Sequence, residues 1–302
     1  MKNELMEKIG LGCVTFGREI DAQKAFSIMD YAIEKEIFFW DTAAVYGHGA
    51  SEKIIGEWLS ANADVAPLVA LATKILPPYS EGSIDEAVAR SLQRLSPGAI
   101  DIMYLHNWDQ SATKNNSLQK INDLINSGVV KSFGLSNFNF EHIKTVLNCC
   151  DQFQLKKPAY IQNNHNFSVS DLNQNIIDLC NKNNIKIVSY SPLGAGYLTG
   201  KHNAGVVAGS RFDMVPAHQK IYFTGEAASR MSVLLNAARE FEVPPAKLAL
   251  AWAFDQPFVS KVLIGAREKK HIDQCIEAIR SIRELKVIVT KMEQACKGIL
   301  PG

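Results

Sequence analysis

The sequence has 302 residues, of which 47% are hydrophobic, so the chain can bury a sizeable core. Its 32 lysines and arginines almost balance its 31 aspartates and glutamates, which gives a formal net charge of +1. Because no stretch concentrates lysine and arginine, the composition argues against a nucleic-acid groove and against a face for anionic membranes.

The amino-terminal segment and the cysteines indicate the cellular compartment of the protein. The first ten residues, MKNELMEKIG, lack an apolar core of signal-peptide length, and the later apolar runs are only long enough for strands. The six cysteines form no C-x-x-C pair and are scattered along the chain, as is typical of reduced thiols. We therefore expect a cytoplasmic protein without a membrane segment, in which Cys149 and Cys150 are ordinary side chains rather than a redox pair.

Strand-like runs rich in valine, isoleucine and aromatic residues alternate with amphipathic helical stretches along the whole chain. The predicted strands are 9–15, 37–41, 68–73, 100–106, 129–135, 158–163, 185–190 and 259–264. The predicted helices are 21–36, 49–60, 83–95, 115–127, 139–150, 171–183, 226–241 and 268–281, with a short extra helix inside 243–257.

Eight alternating units predict an α/β protein with a closed (β/α)8 TIM barrel, formed by a single domain over residues 1–302. A doubly wound open sheet is the alternative architecture. It usually carries a glycine-rich fingerprint after its first strand, and the segment GLGCVTFG lacks the required spacing.

Helix-end signals and one long connection add detail to this repeat. The predicted N-caps are Asp21, Ser83 and either Ser170 or Asp171. Gly128 follows a predicted helix and is expected to end it in a left-handed conformation. The connection 191–225 is much longer than a usual barrel loop and rich in glycine, so we expect it to fold over a ligand.

Several predicted strands end on residues with reactive or hydrogen-bonding chemistry. In chain order these residues are Asp41, Lys74, His106, Ser136 with Asn137, Gln162, and Tyr190 with Ser191. Because the carboxyl ends of the strands in a parallel barrel converge on one mouth, the sequence predicts that these groups share a pocket.

Tyr46 lies on the loop five residues after Asp41, where its phenol could turn back over the barrel mouth. A phenol has a pKa of about 10 and donates protons poorly near neutrality unless a cation stabilises its phenolate. Lys74 would be that cation, and Asp41 would hold the ammonium in place. His106 would donate a hydrogen bond to a substrate oxygen, so the four residues predict a proton-donating site for a carbonyl.

Each of these four residues alone has an ordinary structural interpretation, as a cap, a half-buried aromatic, a solvated strand end or a core histidine. Their combination on consecutive strands favours catalysis. The sequence has no H-E-x-x-H motif or Cys/His cluster for a metal, no G-x-S-x-G nucleophile elbow and no evident carboxylate pair for glycoside cleavage.

From about Gly10 to about Ile279 the sequence resembles the aldo-keto reductase family. The motifs are GLGCVTFG, FFWDTAAVYGHGASE, LATK, YLHNWD, GVVKSFGLSNF, YIQNNHNF, SYSPLGAGYLTGK and VLIGAR. The resemblance implies an (α/β)8 barrel that uses NADPH, or sometimes NADH, to reduce aldehydes and ketones without a metal or flavin. It also implies a catalytic tetrad, Asp41, Tyr46, Lys74 and His106, with Tyr46 as the general acid.

The same resemblance implies how the cofactor is bound. Ser136, Asn137 and Gln162 correspond to residues that hydrogen-bond the nicotinamide carboxamide, and Tyr190 corresponds to the aromatic on which the ring stacks. The further implied contacts are Ser191, Pro192, Leu193, Gly194 and Gly196 at the pyrophosphate, the basic residues Lys201 and Arg211, Gly265 and Arg267 at the 2′-phosphate, and His271 at the adenine.

The sequence departs from the family at two places. His271, Gln274 and Cys275 stand where the last helix of the family often has Arg or Gln, Glu and Asn, so the adenine contacts are altered. His165 stands where many members carry a tyrosine. The guanidinium of Arg267 still suits a phosphate, which favours NADPH over NADH.

The predicted function is the reduction of a small-molecule aldehyde or ketone to an alcohol, with no metal. Candidate residues of the substrate pocket are Phe16, Tyr79, Trp108 and Phe138. The sequence leaves the substrate open among sugar aldehydes, aliphatic aldehydes, dicarbonyls and ketosugars. We expect a monomer, since no long apolar stripe is left over. Alternatives are a catalytically weak NADP(H)-binding regulatory or sensor subunit and a non-redox barrel such as an isomerase.

Overall fold

The computed structural model describes residues 4–95, 100–114 and 116–299. The strands are Ile9–Gly12 (β1), Phe39–Asp41 (β2), Ala70–Ile75 (β3), Ile100–Leu105 (β4), Val130–Ser136 (β5), Tyr160–Asn164 (β6), Lys186–Tyr190 (β7) and Val259–Gly265 (β8). Each strand pairs in parallel with the next one in the chain, and β8 pairs with β1 to close the barrel. The predicted (β/α)8 barrel is confirmed.

The long helices lie outside the barrel, and short ones occur in its connections. They are Glu4–Glu7 (α1), Ala22–Glu34 (α2), Ala50–Ala61 (α3), Glu81–Leu95 (α4), Ser117–Asn126 (α5), Phe140–Gln152 (α6), Gln174–Lys182 (α7), Arg211–Met214 (α8), Gln219–Tyr222 (α9), Gly225–Glu240 (α10), Pro245–Phe254 (α11), Lys269–Arg280 (α12) and Ile282–Ile299 (α13). The apolar spacing buries one side of α2, at Ala25, Ile28, Met29 and Ala32. Helix α11 is instead buried at every position from Leu248 to Phe254.

Strand alternation determines which side chains reach the barrel mouth. Phe39, Ala72 and Tyr104 belong to a small buried cluster contributed by the strands. Because successive strand residues point to opposite faces, Asp41 and Lys74 point the same way as Phe39 and Ala72, two positions earlier on β2 and β3. The register places Asp41 beside Ala72 and Lys74 beside Tyr104, which brings the two charged residues to one end of the barrel.

Some predicted boundaries were wrong. Strand β1 ends at Gly12 rather than at residue 15. Helix α4 begins at Glu81, before the predicted cap Ser83, whose backbone N–H donates to the hydroxyl of Ser80 at 3.3 Å. Helix α7 is capped by Asn173 rather than by Ser170 or Asp171, because the Asn173 side chain accepts from the Ile176 N–H at 3.0 Å.

Other signals agree with the structure. Asp21 caps α2 by accepting from the Lys24 N–H at 2.9 Å. Gly128 adopts a φ of +77° after α5. The extra helix α11 lies within the predicted segment, whereas α13 was not predicted. Residue 115, at the start of one predicted helix, lies outside the described residues.

The long connection 191–225, called here the lid segment, consists of short helical turns. These turns are the 3-10 helices Gly194–Thr199 and Pro216–His218 together with α8 and α9. Phe212 and Tyr222 are buried within it. The hydroxyl of Tyr222 donates to the side-chain oxygen of Asn164 at 3.2 Å, so the segment is fastened to the end of β6.

Candidate active site

The side chain of Lys74 lies at the centre of the predicted tetrad. It is only 1% exposed, and its ammonium forms an ion pair with the carboxylate of Asp41. The same ammonium donates to the backbone oxygen of Thr42 at 2.8 Å and to the phenol oxygen of Tyr46 at 3.3 Å. An ammonium has three N–H donors, so all three are used and the buried charge is satisfied.

Asp41 is held from a second side. Its other carboxylate oxygen accepts a hydrogen bond from the side-chain amide of Gln162 at 2.8 Å. Gln162 is buried, and its strand partner on β5 is Ser136. Gln162 and Ser136, which the resemblance assigns to the nicotinamide carboxamide, therefore lie beside the tetrad.

Burial and charge act in opposite directions on these groups. For Lys74 burial lowers the pKa, but Asp41 and Tyr46 together outweigh it and the net pKa is raised, so the ammonium stays charged near neutrality. For Tyr46 burial raises the pKa more than Lys74 lowers it. The ammonium of Lys74 thus lowers the pKa of this phenol, in the predicted direction, while burial keeps the net pKa raised.

His106 adds a neutral ring to the site. Burial, assisted by the positive charge of Lys74, lowers the pKa of His106 to about 3. The ring packs edge-on against Tyr46 with 5.9 Å between centroids. Its Nδ1 atom is buried without a hydrogen-bond partner among the described residues. Because a neutral imidazole keeps one N–H donor, His106 can donate to an oxygen bound beside Tyr46.

Residues after Tyr46 hold its loop in place, and sequence analysis did not single them out. The Ser51 hydroxyl donates to the backbone oxygen of Cys13 at 2.9 Å and is hydrogen-bonded to the Thr42 hydroxyl at 2.8 Å. The buried carboxylate of Glu52 accepts from Arg94 at 2.6 Å. Both residues are part of the motif DTAAVYGHGASE, whose last two positions, Ser51 and Glu52, could have been recognised as polar groups that follow the tyrosine loop.

The amide group of Asn137 connects the tetrad to the next strands. Asn137 has a φ of +60°, and its side-chain N–H donates to the backbone oxygen of His106 at 2.9 Å. Its side-chain oxygen accepts from the hydroxyl of Tyr190 at 2.7 Å. The structure therefore brings Ser136, Asn137, Gln162 and Tyr190 to the same mouth as the tetrad. Asn163, which sequence analysis missed, has a buried side-chain oxygen without a partner among the described residues.

The start of the lid segment is a tight turn with several left-handed residues. Ser191, Gly194, Ala195 and Gly196 all have positive φ angles, of +57°, +57°, +56° and +96°. The turn is closed by its own hydrogen bonds, since the Gly194 N–H donates to the backbone oxygen of Ser191 at 2.8 Å. A Cβ atom on Gly196 would lie 3.2 Å from the ammonium nitrogen of Lys201, so the absence of a side chain lets this cation approach the loop.

The same turn contains Pro192, which is buried, and Leu193, whose backbone oxygen accepts from the Gly196 N–H at 3.0 Å. On β8, Gly265 faces open space, since a Cβ there would meet nothing within 4 Å. The backbone N–H of Arg267 donates to Nδ1 of His271 at 3.2 Å. The resemblance assigns Pro192 and Leu193 to the pyrophosphate, Gly265 and Arg267 to the 2′-phosphate and His271 to the adenine.

The two arginines predicted to bind phosphates share one acidic partner that sequence analysis missed. Arg211 on α8 pairs with Glu19 at 2.7 Å, and Arg267 after β8 pairs with the same carboxylate at 3.7 Å. Burial lowers the pKa of Arg211 to about 10, which Glu19 opposes. The basic side chains are therefore gathered at one position, with Glu19 between them.

The chain is similar to known proteins over nearly its whole length. A family model described as "Aldo/keto reductase family" matches residues 8–290. The chain belongs to the aldo/keto reductase family. A "Probable voltage-gated potassium channel subunit beta" from Arabidopsis thaliana is 28% identical, over 94% of this chain and 91% of the relative. An "Uncharacterized oxidoreductase YrpG" from Bacillus subtilis is 26% identical over 98% and 93%. A "Probable aldo-keto reductase 1" from Glycine max is 28% identical over 91% and 81%.

The candidate pocket residues of this aldo/keto reductase differ in exposure. Phe16, Tyr79 and Phe138 are fully buried. Trp108 is partly exposed and stacks on His142 with 4.2 Å between ring centroids. Of the four, only Trp108 is therefore accessible to a substrate in this conformation.

Within the part of the chain that the structure describes, neither a metal site nor a membrane span is found. No group of three or more His, Cys, Asp and Glu side chains in that part of the chain is arranged to hold a metal ion. Among the same residues, no helix of this aldo/keto reductase combines the length and the apolar character needed to cross a bilayer.

Proposed function

We propose that the protein is an NAD(P)H-dependent oxidoreductase that reduces an aldehyde or ketone to an alcohol, with Tyr46 as the general acid. The observation that carries the proposal is the buried Lys74 ammonium, which is paired with Asp41 and hydrogen-bonded to the phenol of Tyr46 at 3.3 Å. A fixed cation beside a phenol stabilises the phenolate that remains after proton donation. We further propose that residues 1–302 act as one domain.

The four tetrad residues have different roles in protonating the substrate oxygen. Tyr46 donates its proton to the oxygen as negative charge develops there, and Lys74 stabilises the resulting phenolate. Asp41 keeps the ammonium of Lys74 charged and in position. The neutral ring of His106 donates a second hydrogen bond to the same oxygen, which orients the carbonyl.

When bound, the nicotinamide cofactor supplies the hydride. Ser136, Asn137 and Gln162 would hold its carboxamide, and Tyr190 would support the ring. The loop of positive φ angles, with Lys201, would hold the pyrophosphate, and Arg211 and Arg267 would hold the 2′-phosphate end. The clustering of these two guanidiniums supports NADPH as the preferred cofactor, with NADH as the alternative.

Replacement of Tyr46 tests the reaction most simply. We expect Tyr46→Phe to lower carbonyl reduction by on the order of a hundredfold to ten-thousandfold, because the general acid is lost while the ring remains. NADPH binding, measured by fluorescence quenching, should be unchanged. Near-normal reduction by a variant that still binds NADPH would show that Tyr46 is not the acid.

A second candidate function is a nicotinamide-binding regulatory subunit. It is favoured by the relatives from Arabidopsis thaliana and Oryza sativa that are named probable voltage-gated potassium channel subunits beta. Cofactor consumption with a broad panel of aldehydes separates the two functions. Brisk NADPH oxidation supports the enzyme, whereas tight NADPH binding with negligible turnover supports the regulatory subunit. A protein that does not quench NADPH fluorescence at all would instead be a non-redox barrel.

A further inference from the structure

A single carboxylate lies between three arginines at the cofactor side of the mouth. The side chain of Glu19 is only 3% exposed. One of its oxygens is 2.8 Å from Arg18 and 2.7 Å from Arg211, and its other oxygen is 3.7 Å from Arg267. The arginines come from the loop after β1, from the lid segment and from the segment after β8. Glu19 thus connects three separate parts of the chain.

A carboxylate in this position resembles a phosphate in its chemistry. Both present negatively charged oxygens that accept charge-assisted hydrogen bonds from guanidinium groups. Three guanidiniums with one carboxylate leave a local charge of about +2, which still attracts an anion but less strongly than +3 would. The ion pairs of Glu19 with Arg267 and Arg211 also differ in length and in exposure. Arg267 is 37% exposed and its contact is the longest, whereas Arg211 is 15% exposed and its contact is short.

We propose that Glu19 is an internal counter-anion that competes with a cofactor phosphate for Arg211 and Arg267 and thereby weakens phosphate binding. The inference rests on the proposed function, because it takes these arginines as the phosphate ligands. The Arg267 guanidinium exchanges Glu19 for phosphate first, since its contact is the longest and the most exposed. Glu19 therefore limits how tightly the protein retains an anionic nucleotide, and it keeps the partly buried Arg211 paired when no nucleotide is bound.

The test uses Glu19→Gln, which keeps the shape of the side chain and removes its charge. The probe is adenosine 2′,5′-bisphosphate, which carries phosphates but no nicotinamide, and its affinity is measured by calorimetry with NADPH in parallel. We expect the variant to bind both ligands on the order of tenfold more tightly, with a steeper loss of affinity as salt is added.

The matched control is Glu86→Gln. Glu86 pairs with Arg90 at 3.2 Å on the exposed surface of α4, so this change alters the net charge equally but leaves the arginine cluster intact. The control should bind both ligands as the wild type does. If Glu19→Gln does not fold, Glu19→Asp keeps the charge but withdraws it from the arginines, and it should show a smaller gain in affinity.

Equal or weaker ligand binding by a folded Glu19→Gln protein would overturn the inference, and Glu19 would then be a residue that positions the arginines. An equal gain in the Glu86→Gln control would also overturn it, because the effect would be one of net charge. If the gain appears for the bisphosphate but the wild type reduces no carbonyl, the inference stands and the proposed function fails.

Discussion

At the scale of single residues, the site depends on a buried cation with every donor used. The ammonium of Lys74 has three acceptors, from Asp41, Thr42 and Tyr46, and Asp41 has a further partner in Gln162. Removing one partner of such a pair leaves an uncompensated buried charge, so each partner stabilises the others in the folded protein. The phenol of Tyr46 is thereby held at a fixed distance from the positive charge.

The neutral ring of His106 predicts a dependence of stability on pH. Its pKa is lowered from 6.5 to about 3 in the folded protein, so the unfolded chain binds the proton more readily. The stabilisation that comes from this neutral histidine is complete above pH 6.5 and is lost as the pH falls towards 3. We expect His106→Gln to lose less stability than the wild type between pH 7 and about 4, as measured by urea unfolding.

The control for this prediction is His48→Gln, because His48 is exposed on the loop after Tyr46. This change should leave the pH profile as it is in the wild type. Identical acid profiles for His106→Gln and the wild type would mean that the ring of His106 is protonated as easily in the folded protein as in the unfolded chain.

At the scale of elements, the lid segment is fastened by Tyr222. Its hydroxyl donates to Asn164 at 3.2 Å in a buried position and accepts from Asn166 at 3.5 Å. We expect Tyr222→Phe to lower the free energy of unfolding by about 1 kcal/mol, the cost of a lost buried hydrogen bond. Amide hydrogen exchange in the lid segment should become faster, while the strands keep their protection.

Tyr31→Phe is the matched control for Tyr222→Phe. The Tyr31 hydroxyl donates to Asp273 at 2.6 Å on an exposed part of the surface, so its loss should leave exchange in the lid segment unchanged. A Tyr222→Phe protein whose lid segment exchanges at the wild-type rate would show that aromatic packing, and not the hydroxyl, fastens the segment.

Most elements could be predicted because their patterns are local. Alternation of apolar runs predicted all eight strands, and three-to-four spacing predicted the long helices up to α12. Helix α13 was missed although Leu285, Val289, Met292 and Cys296 show the same spacing and are buried. Eight units already account for a closed barrel, so the predicted topology required no further helix after α12. Its contact with α11, through Glu293 and Trp252, exists only in the folded chain.

At the scale of the whole molecule, closure of the barrel makes the first and last strands neighbours. The hydroxyl of Thr15 donates to the backbone oxygen of Ala266 at 3.1 Å, and Glu19 reaches Arg267 nearby. Neither contact could be predicted from the sequence, because the partners are far apart in the chain and lie in loops without periodicity. The polar strand ends were predictable as a group, since a parallel barrel brings all of them to one mouth.

The most direct test of the account follows the hydride. NADPH deuterated at the transferred position is supplied to the protein with an aldehyde, and the alcohol product is analysed by mass spectrometry and NMR. We expect deuterium on the carbon that carried the carbonyl oxygen in the wild type, and almost no product with Tyr46→Phe. Alcohol without deuterium, or no NADPH oxidation with any aldehyde or ketone in a broad panel, would contradict the account.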